Sequence, residues 1–163
     1  MNKVIVMFIC LSFFIRCQEP EAFICDTPIV GFFDAETNYD DWKNSGCYYS
    51  LISDTSITLN FASLDAYCNL VALEVSKVQM KAGKYEYNHN AYLIELTGED
   101  GVLGFYRLDT SYVNEINILN IDRTKNEVSG KIDLQLLPDA KMSPKYNKVI
   151  YFRNSTFTAK LSQ

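Results

Sequence analysis

The stretch EINILNIDRTKNEVSGKIDLQL, residues 115–136, carries the clearest fold signal in this chain of 163 residues. Its second half alternates apolar and polar side chains, with Ile132, Leu134 and Leu136 on one face. Alternation with a period of two residues is typical of a β-strand that is buried on one face only. Because the polar tip RTKN separates two apolar runs, the stretch predicts a β-hairpin.

Local irregularities are predicted within this hairpin, and a second hairpin is predicted before it. The apolar positions change phase between Ile118 and Leu119, which indicates a β-bulge. Gly130 inside the return strand indicates a bulge or a close backbone contact. In AYLIELTGEDGVLGFYRL, Gly98 and Gly101 separate two apolar runs, which is a further hairpin signal.

The same alternation recurs outside these hairpins. It places one face of SITLNF and one face of LVALEVSKV in the interior, at Ile57, Leu59, Phe61, Val71, Leu73 and Val75. The 11 tyrosines and 10 phenylalanines suit strand faces, and no long amphipathic helix is visible. The sequence therefore predicts an all-β fold, a single antiparallel β-sandwich or meander barrel of about seven to nine strands.

The amino-terminal leader predicts export. Lys3 precedes an apolar run over residues 4–15, a length typical of the apolar region of a signal peptide, about 7–15 residues. A membrane-spanning helix needs about 20 apolar residues, and Arg16 ends this run too early for that.

Cys17 follows the leader directly and precedes the acidic sequence QEPE. This context predicts lipidation of Cys17 after signal cleavage, although the residue before a lipidated cysteine is usually small and here is Arg16. The expected location is the cell envelope, at the outer membrane, with the lipid anchor holding the protein to the bilayer. The alternative is ordinary signal removal, which would leave a soluble secreted or periplasmic protein.

Three segments follow from these signals: a lipoprotein signal peptide over residues 1–16, a tether and irregular N-terminal segment over residues 17–45, and an antiparallel β domain over residues 46–163. The formal net charge of −5 repels phosphate backbones, so no nucleic acid is expected as a partner. A protein or glycan partner remains open, and no cofactor is expected.

Three cysteines remain beyond the leader and Cys17. Export to an oxidising compartment permits one disulfide among Cys25, Cys47 and Cys68, and the spacing does not say which two pair. No metal is expected, because no C-x-x-C pair or cluster of cysteine and histidine is present.

The side chains available for catalysis predict a protein that is not an enzyme. His89 is the only histidine, and no G-x-S-x-G signature accompanies it, so it is interpreted as a surface loop residue. Asp109, Asp122 and Asp133 could form a carboxylate pair for glycoside hydrolysis. They are interpreted instead as acids at or near strand ends, where such residues mark turns.

The acidic stretch DAETNYDDW resembles a calcium loop only in its alternating oxygen ligands, Asp34, Glu36, Asn38 and Asp40. An EF-hand loop needs glycine at its sixth position and glutamate at its twelfth, and here these positions hold Tyr39 and Ser45. A solvated acidic loop is therefore the favoured interpretation, with weak calcium binding as the alternative.

The aromatic residues permit two interpretations. Tyrosines and Trp42 could form a platform for a glycan or peptide if several of them leave the core together. Tyr48 and Tyr49 cannot both face inward, whereas Tyr85 and Tyr87 share one side of a predicted strand. Packing in the core and at its margins is the favoured interpretation for most of them.

Motifs over about residues 55–161 resemble a family of small uncharacterised envelope lipoproteins from Bacteroidetes-type bacteria. The similar stretches are the turn MKAGKYEYN, the hairpin INILNIDRTKNEVSGKIDLQL and the closing strand VIYFRNSTFTAKL. The expected "tnG-x-F" pattern departs here, since the chain reads Asn154, Ser155, Thr156 and Phe157 without the glycine.

The resemblance implies an all-β domain of unknown function with no catalytic residues to carry over. The expected function is that of a non-enzymatic envelope lipoprotein that presents a small β domain to a ligand or partner. The alternative is a soluble secreted, lipocalin-like barrel for a small ligand, although the expected Gly-x-Trp start is not cleanly present around Asp41 and Trp42.

Overall fold

The computed structural model describes residues 30–40, 42, 45–64, 69–96, 101–140 and 148–162. The predicted signal peptide, the lipidation site Cys17 and the glycine Gly98 of the second hairpin lie outside these residues.

The described residues contain strands and no helices, which confirms the all-β class. The strands are β1 (Phe32–Asp34), β2 (Ser45–Ser53), β3 (Ser56–Leu64), β4 (Leu70–Gln79), β5 (Gly83–Glu86), β6 (Ala91–Leu96), β7 (Val102–Leu108), β8 (Glu115–Asp122), β9 (Glu127–Pro138) and β10 (Ile150–Leu161). Within these residues there are ten strands, where the sequence predicts about seven to nine. The difference arises because β1 and β5 have three and four residues and are too short to show a period.

One sheet holds all ten strands, in the order β1-β10-β2-β3-β4-β6-β7-β9-β8-β5. An additional pairing of β9 with β10 closes a circuit of strands through β10, β2, β3, β4, β6, β7 and β9. The pairings within the described residues are antiparallel except that of β10 with β2, which is parallel over Lys160 and Leu161. This short parallel pair is the one departure from the predicted antiparallel arrangement.

Alternation along each strand sends one face to a common core. In β3 and β4 the predicted inward residues are fully or almost fully buried, and the residues between them are partly exposed. The core includes Phe33, Tyr49, Ile57, Leu59, Phe61, Leu73, Val75, Leu93, Tyr106, Ile116, Ile132, Leu134, Phe152 and Phe157. Burial of this apolar surface is the main force that holds the strands together.

Both predicted hairpins are present. β8 and β9 pair antiparallel, with a register shift between Ile118 and Asn120 where the bulge is predicted. A Cβ on Gly130 would lie 2.4 Å from the carbonyl oxygen of Asn117, so the predicted close backbone contact is also confirmed. β6 and β7 form the second antiparallel pair.

The described part of the N-terminal segment packs onto the β domain. β1 pairs with β10, and Phe33, Tyr39 and Trp42 are buried in the core. The indole of Trp42 lies edge-on to Phe33 and Phe152, with ring centroids 5.6 and 5.1 Å away. The folded domain therefore includes residues 30–40 and Trp42, which the sequence places in the irregular segment.

Candidate functional site

Five side chains from five neighbouring strands form one row on the outer face of the sheet. The register pairs Tyr48 with Asn60, Asn60 with Glu74, Glu74 with Tyr92 and Tyr92 with Arg107. We call Tyr48, Asn60, Glu74, Tyr92 and Arg107 the outer-face row. Strands lie about 4.8 Å apart, so the row extends about 19 Å across the strands.

Glu74 organises the centre of this row. Its Oε2 accepts a hydrogen bond from the Tyr92 hydroxyl at 2.6 Å, and its Oε1 accepts one from the Ser76 hydroxyl at 2.8 Å. Burial, followed by the hydrogen bond to Glu74, raises the pKa of Tyr92 to about 12. Tyr92 therefore stays a neutral donor at physiological pH and holds the carboxylate in place.

Aromatic and cationic groups continue the row toward β7. The rings of Tyr92 and Phe105 stack with centroids 5.4 Å apart and planes 20° apart. The guanidinium carbon of Arg107 lies 5.6 Å from the Phe105 centroid, and its Nε contacts Oδ2 of Asp139 at 2.6 Å. The Arg107 side chain is 67% exposed while that of Asp139 is 9% exposed, so a partly buried carboxylate orients a solvent-facing cation.

A pocket of about 410 Å³ opens at this end of the row. We call it the β4–β6–β7 pocket; its lining includes Glu74, Ser76, His89, Tyr92, Phe105 and Arg107. A carboxylate, a guanidinium and two stacked rings thus converge on one open volume. Such a combination can hold a ligand that has both apolar surface and hydrogen-bonding groups.

His89 is exposed, in agreement with the surface-loop interpretation. Its ring lies edge-on to Tyr87, with centroids 5.7 Å apart, and it also lines the β4–β6–β7 pocket. The sequence pattern did not associate His89 with Glu74 or Arg107, because the association depends on the pairing of β4, β6 and β7.

A second pocket of about 350 Å³ lies on the outer face of β5, β8 and β9. Its charged groups are largely neutralised by contacts within the protein: Lys84 pairs with Glu115 at 2.7 Å and Asp133 with Arg153 at 2.7 Å. The Arg153 guanidinium also lies 4.3 Å from the ring centroid of Tyr112. These mutual contacts favour a structural role for the second pocket.

The three acids considered for hydrolysis have structural partners, and none of them lines the β4–β6–β7 pocket. Hydrogen bonds, the largest of them from the Ser111 hydroxyl, lower the pKa of Asp109, which follows the end of β7. A hydrogen bond from the Thr124 side chain lowers the pKa of Asp122, at the end of β8. Asp133 is inside β9 rather than near a strand end, so that interpretation was wrong for Asp133.

The acidic stretch from Asp34 to Asp40 anchors its own loop. Asn38 donates from Nδ2 to the carbonyl of Val149 at 2.9 Å and accepts from the amide of Tyr151 at 3.0 Å. Nζ of Lys148 lies 3.5 Å from a carboxylate oxygen of Asp40. Within the described residues, no three histidine, cysteine, aspartate or glutamate side chains come together as a metal site.

Cys47 is the one cysteine within the described residues, and it carries a free, fully buried thiol. Burial raises its pKa well above the ordinary value, so it stays protonated. Cys25 and Cys68, its potential disulfide partners, lie outside the described residues.

Glu95 is a buried carboxylate that is not among the residues predicted from the sequence to form a site. It follows Ala91 and Leu93 on the inward face of β6, is 3% exposed, and accepts a hydrogen bond from the Tyr39 hydroxyl. The alternation in AYLIEL could have indicated this residue, because it places Glu95 on the same face as Ala91 and Leu93, and a buried acid requires a hydrogen-bond partner. The partner itself, 56 residues away, could not be read from the pattern.

Comparisons with known proteins give no match: no protein-family model, curated protein or solved structure is similar enough to be assigned to the chain. Within the described part of the chain, no helix has the length and apolar character to cross a bilayer.

Proposed function

We propose that the protein is an exported lipoprotein of the cell envelope, tethered through Cys17, whose β domain is a non-enzymatic binding module. The leader, the position of Cys17 and the acidic sequence after it support the tether. The resemblance to small envelope lipoproteins supports the same location. The β domain is the part that such a tether would present to a ligand or partner.

The β4–β6–β7 pocket is the observation that carries the binding role. Ligand sites are usually concave volumes of about 300–1,000 Å³ with a few well-placed polar groups among apolar ones. This pocket has about 410 Å³ and combines Glu74 and Arg107 with the stacked rings of Tyr92 and Phe105. Both oxygens of Glu74 already accept hydrogen bonds from protein hydroxyls, which favours a positioning role over proton transfer.

A soluble, lipocalin-like carrier is the alternative, and the position of the pocket argues against it. A carrier of that kind encloses its ligand inside a barrel. The β4–β6–β7 pocket is lined by outward residues of the sheet, including Glu74 and Arg107. Binding on the outer surface therefore fits the chain better than enclosure.

Incorporation of radiolabelled palmitate in the native host tests the tether. The wild type is expected to take up label and to sediment with membranes, whereas Cys17→Ala is expected to do neither. Cys25→Ala is the matched control, since it removes a nearby cysteine and should keep the label. An unlabelled wild type recovered in the soluble fraction would refute the lipoprotein proposal.

A further inference from the structure

We infer that the β4–β6–β7 pocket and the outer-face row together bind a neutral oligosaccharide that lies across the strands. This inference deepens the proposed binding role and rests on it. Four properties of the site support it: shape, side-chain chemistry, charge and position in the sheet.

The shape of the site fits an elongated ligand. The outer-face row extends about 19 Å, which exceeds one sugar ring and accommodates a short chain of them. The adjacent row on the same face is apolar, with register partners Ala62, Ala72, Ile94 and Phe105. The outer-face row therefore forms a polar border along an apolar strip of the same face.

The side chains match the two surfaces of a pyranose ring. A sugar presents an apolar C–H face, which packs well on an aromatic ring, and a rim of hydroxyl groups. Tyr92 and Phe105 supply the rings, and Arg107 is a donor beside them. Glu74 is the acceptor, because each of its oxygens accepts one protein hydrogen bond and a carboxylate has about four lone-pair sites. Hydrogen bonds to charged groups are stronger than neutral ones, so a carboxylate and a guanidinium suit a ligand whose polar groups are mainly hydroxyls.

The charge of the site favours a neutral chain over an anionic one. Glu74 places a carboxylate at the centre of the row, and the whole protein has a formal net charge of −5. A polyanion, whether a nucleic acid or a uronic acid polymer, would be repelled by both. The positive charge of Arg107 is already paired with Asp139 at 2.6 Å, so it does not reverse this preference.

The position of the site argues against a peptide added as an extra strand. Peptides that bind in this way use a free sheet edge. The row crosses β3, β4 and β6, each of which is paired on both edges. A ligand on this face has to be recognised by side chains, which is how sugars are bound.

Isothermal titration calorimetry of the detergent-solubilised full-length protein tests the inference. The probes are cellohexaose, maltohexaose, xylohexaose and mannohexaose. At least one is expected to bind saturably. Phe105→Ala removes a ring face and Arg107→Ala a charged donor, and each should weaken binding by about tenfold or more. Lys84→Ala, which changes an exposed cation lining the second pocket, is the control and should bind like the wild type.

Circular dichroism verifies that each variant is folded. If Phe105→Ala loses its β-sheet signal, Phe105→Leu replaces it, because leucine keeps apolar volume but removes the ring, and the same weakening is expected. Absence of saturable heat with all four hexasaccharides would overturn the inference. Binding that neither Phe105 nor Arg107 substitution weakens would also overturn it, since the site would then lie elsewhere.

The palmitate experiment keeps the two proposals separate. A labelled protein that binds none of the hexasaccharides would refute the oligosaccharide assignment and leave the tethered module standing. An unlabelled protein that binds through Phe105 and Arg107 would refute the tether and retain the ligand class.

Discussion

Gly31 directly precedes β1 and lies close to the backbones of both β2 and β10. Its φ is +74°, and a Cβ at this position would lie 2.0 Å from the carbonyl oxygen of Cys47 and 2.5 Å from that of Thr158. The preceding residue, Val30, also contacts β2, because its carbonyl oxygen accepts a hydrogen bond of 2.9 Å from the amide of Cys47. Only glycine combines this backbone conformation with such close approach.

Gly31→Ala is expected to lower the free energy of unfolding by about 3 kcal/mol, since overpacking and a left-handed backbone each cost about 1–3 kcal/mol. Urea denaturation measures the loss. Gly83→Ala is the control, because Gly83 has φ +128° but no atom within 4 Å of the position of a Cβ. Its free energy of unfolding should therefore fall clearly less than that of Gly31→Ala. Equal losses in the two variants would show that the contacts of Gly31 are not the cause.

The sequence indicated a special role for Gly130 but not for Gly31. Gly130 interrupts a strand with clear alternation, and such an interruption is visible locally. Gly31 stands in a short segment without periodicity, and the atoms that exclude a side chain belong to Cys47 and Thr158, distant along the chain. Close approach between distant segments leaves no mark in the local pattern.

The connection between β7 and β8 lets both strands pair with the same edge of β9. β7 pairs with Leu136, Leu137 and Pro138, and β8 pairs with β9 from Glu127 to Asp133. Asn114 holds the connection, since its Nδ2 donates to the carbonyls of Asp109 and Tyr112 and its Oδ1 accepts from the amide of Gln135. Asn114 is 1% exposed, so water does not compete for these bonds.

Asn114→Ala is expected to lower the free energy of unfolding by about 2 kcal/mol, because the amide of Gln135 loses its hydrogen-bond acceptor, at a cost of about 1–3 kcal/mol. The carbonyls of Asp109 and Tyr112 keep backbone donors, the amides of Tyr112 and Asn114. Thermal or urea denaturation measures this. Asn120→Ala, an exposed substitution in the adjoining strand β8, should change stability by less than about 0.5 kcal/mol. If Asn114→Ala changed the free energy of unfolding as little as Asn120→Ala, the connection between β7 and β8 would not depend on the Asn114 side chain.

Left-handed residues mark two places where the strands change register. Lys77 has φ +57° in β4, near the shift against β3, and Asn154 has φ +48° in β10, at the shift against β9. Asparagine tolerates this conformation better than most residues. Asn154 therefore provides a left-handed residue directly before Ser155. Ser155 occupies the position of the glycine in the "tnG-x-F" pattern.

One continuous core serves the whole described domain, because the circuit of strands turns all inward faces toward each other. Trp42, the single tryptophan, is 9% exposed and packs between Phe33 and Phe152. Residues 30–40 and Trp42 therefore contribute to the same core as the sheet.

Unfolding in urea is expected to give one transition, with the same midpoint by Trp42 fluorescence and by far-ultraviolet circular dichroism. Fluorescence reports the packing of the N-terminal segment, and circular dichroism reports the sheet. Phe33→Leu, which loosens the contact with Trp42, should lower both midpoints together. A fluorescence transition at lower urea than the circular dichroism transition would show that this segment unfolds independently.

The amino-acid pattern was sufficient for the strand faces, the two hairpins, the bulge after Ile118 and the contact at Gly130. These features depend on alternation and turn residues within a few positions of each other. The outer-face row, the pairing of Tyr39 with Glu95 and the closure of β10 onto β2 required the folded chain. Tyr48 and Arg107, for example, join one row through four successive pairings. The register of each pairing depends on how a whole strand face is buried against the other strands. These strands are distant along the chain, so the pairing cannot be predicted from any short stretch of the sequence.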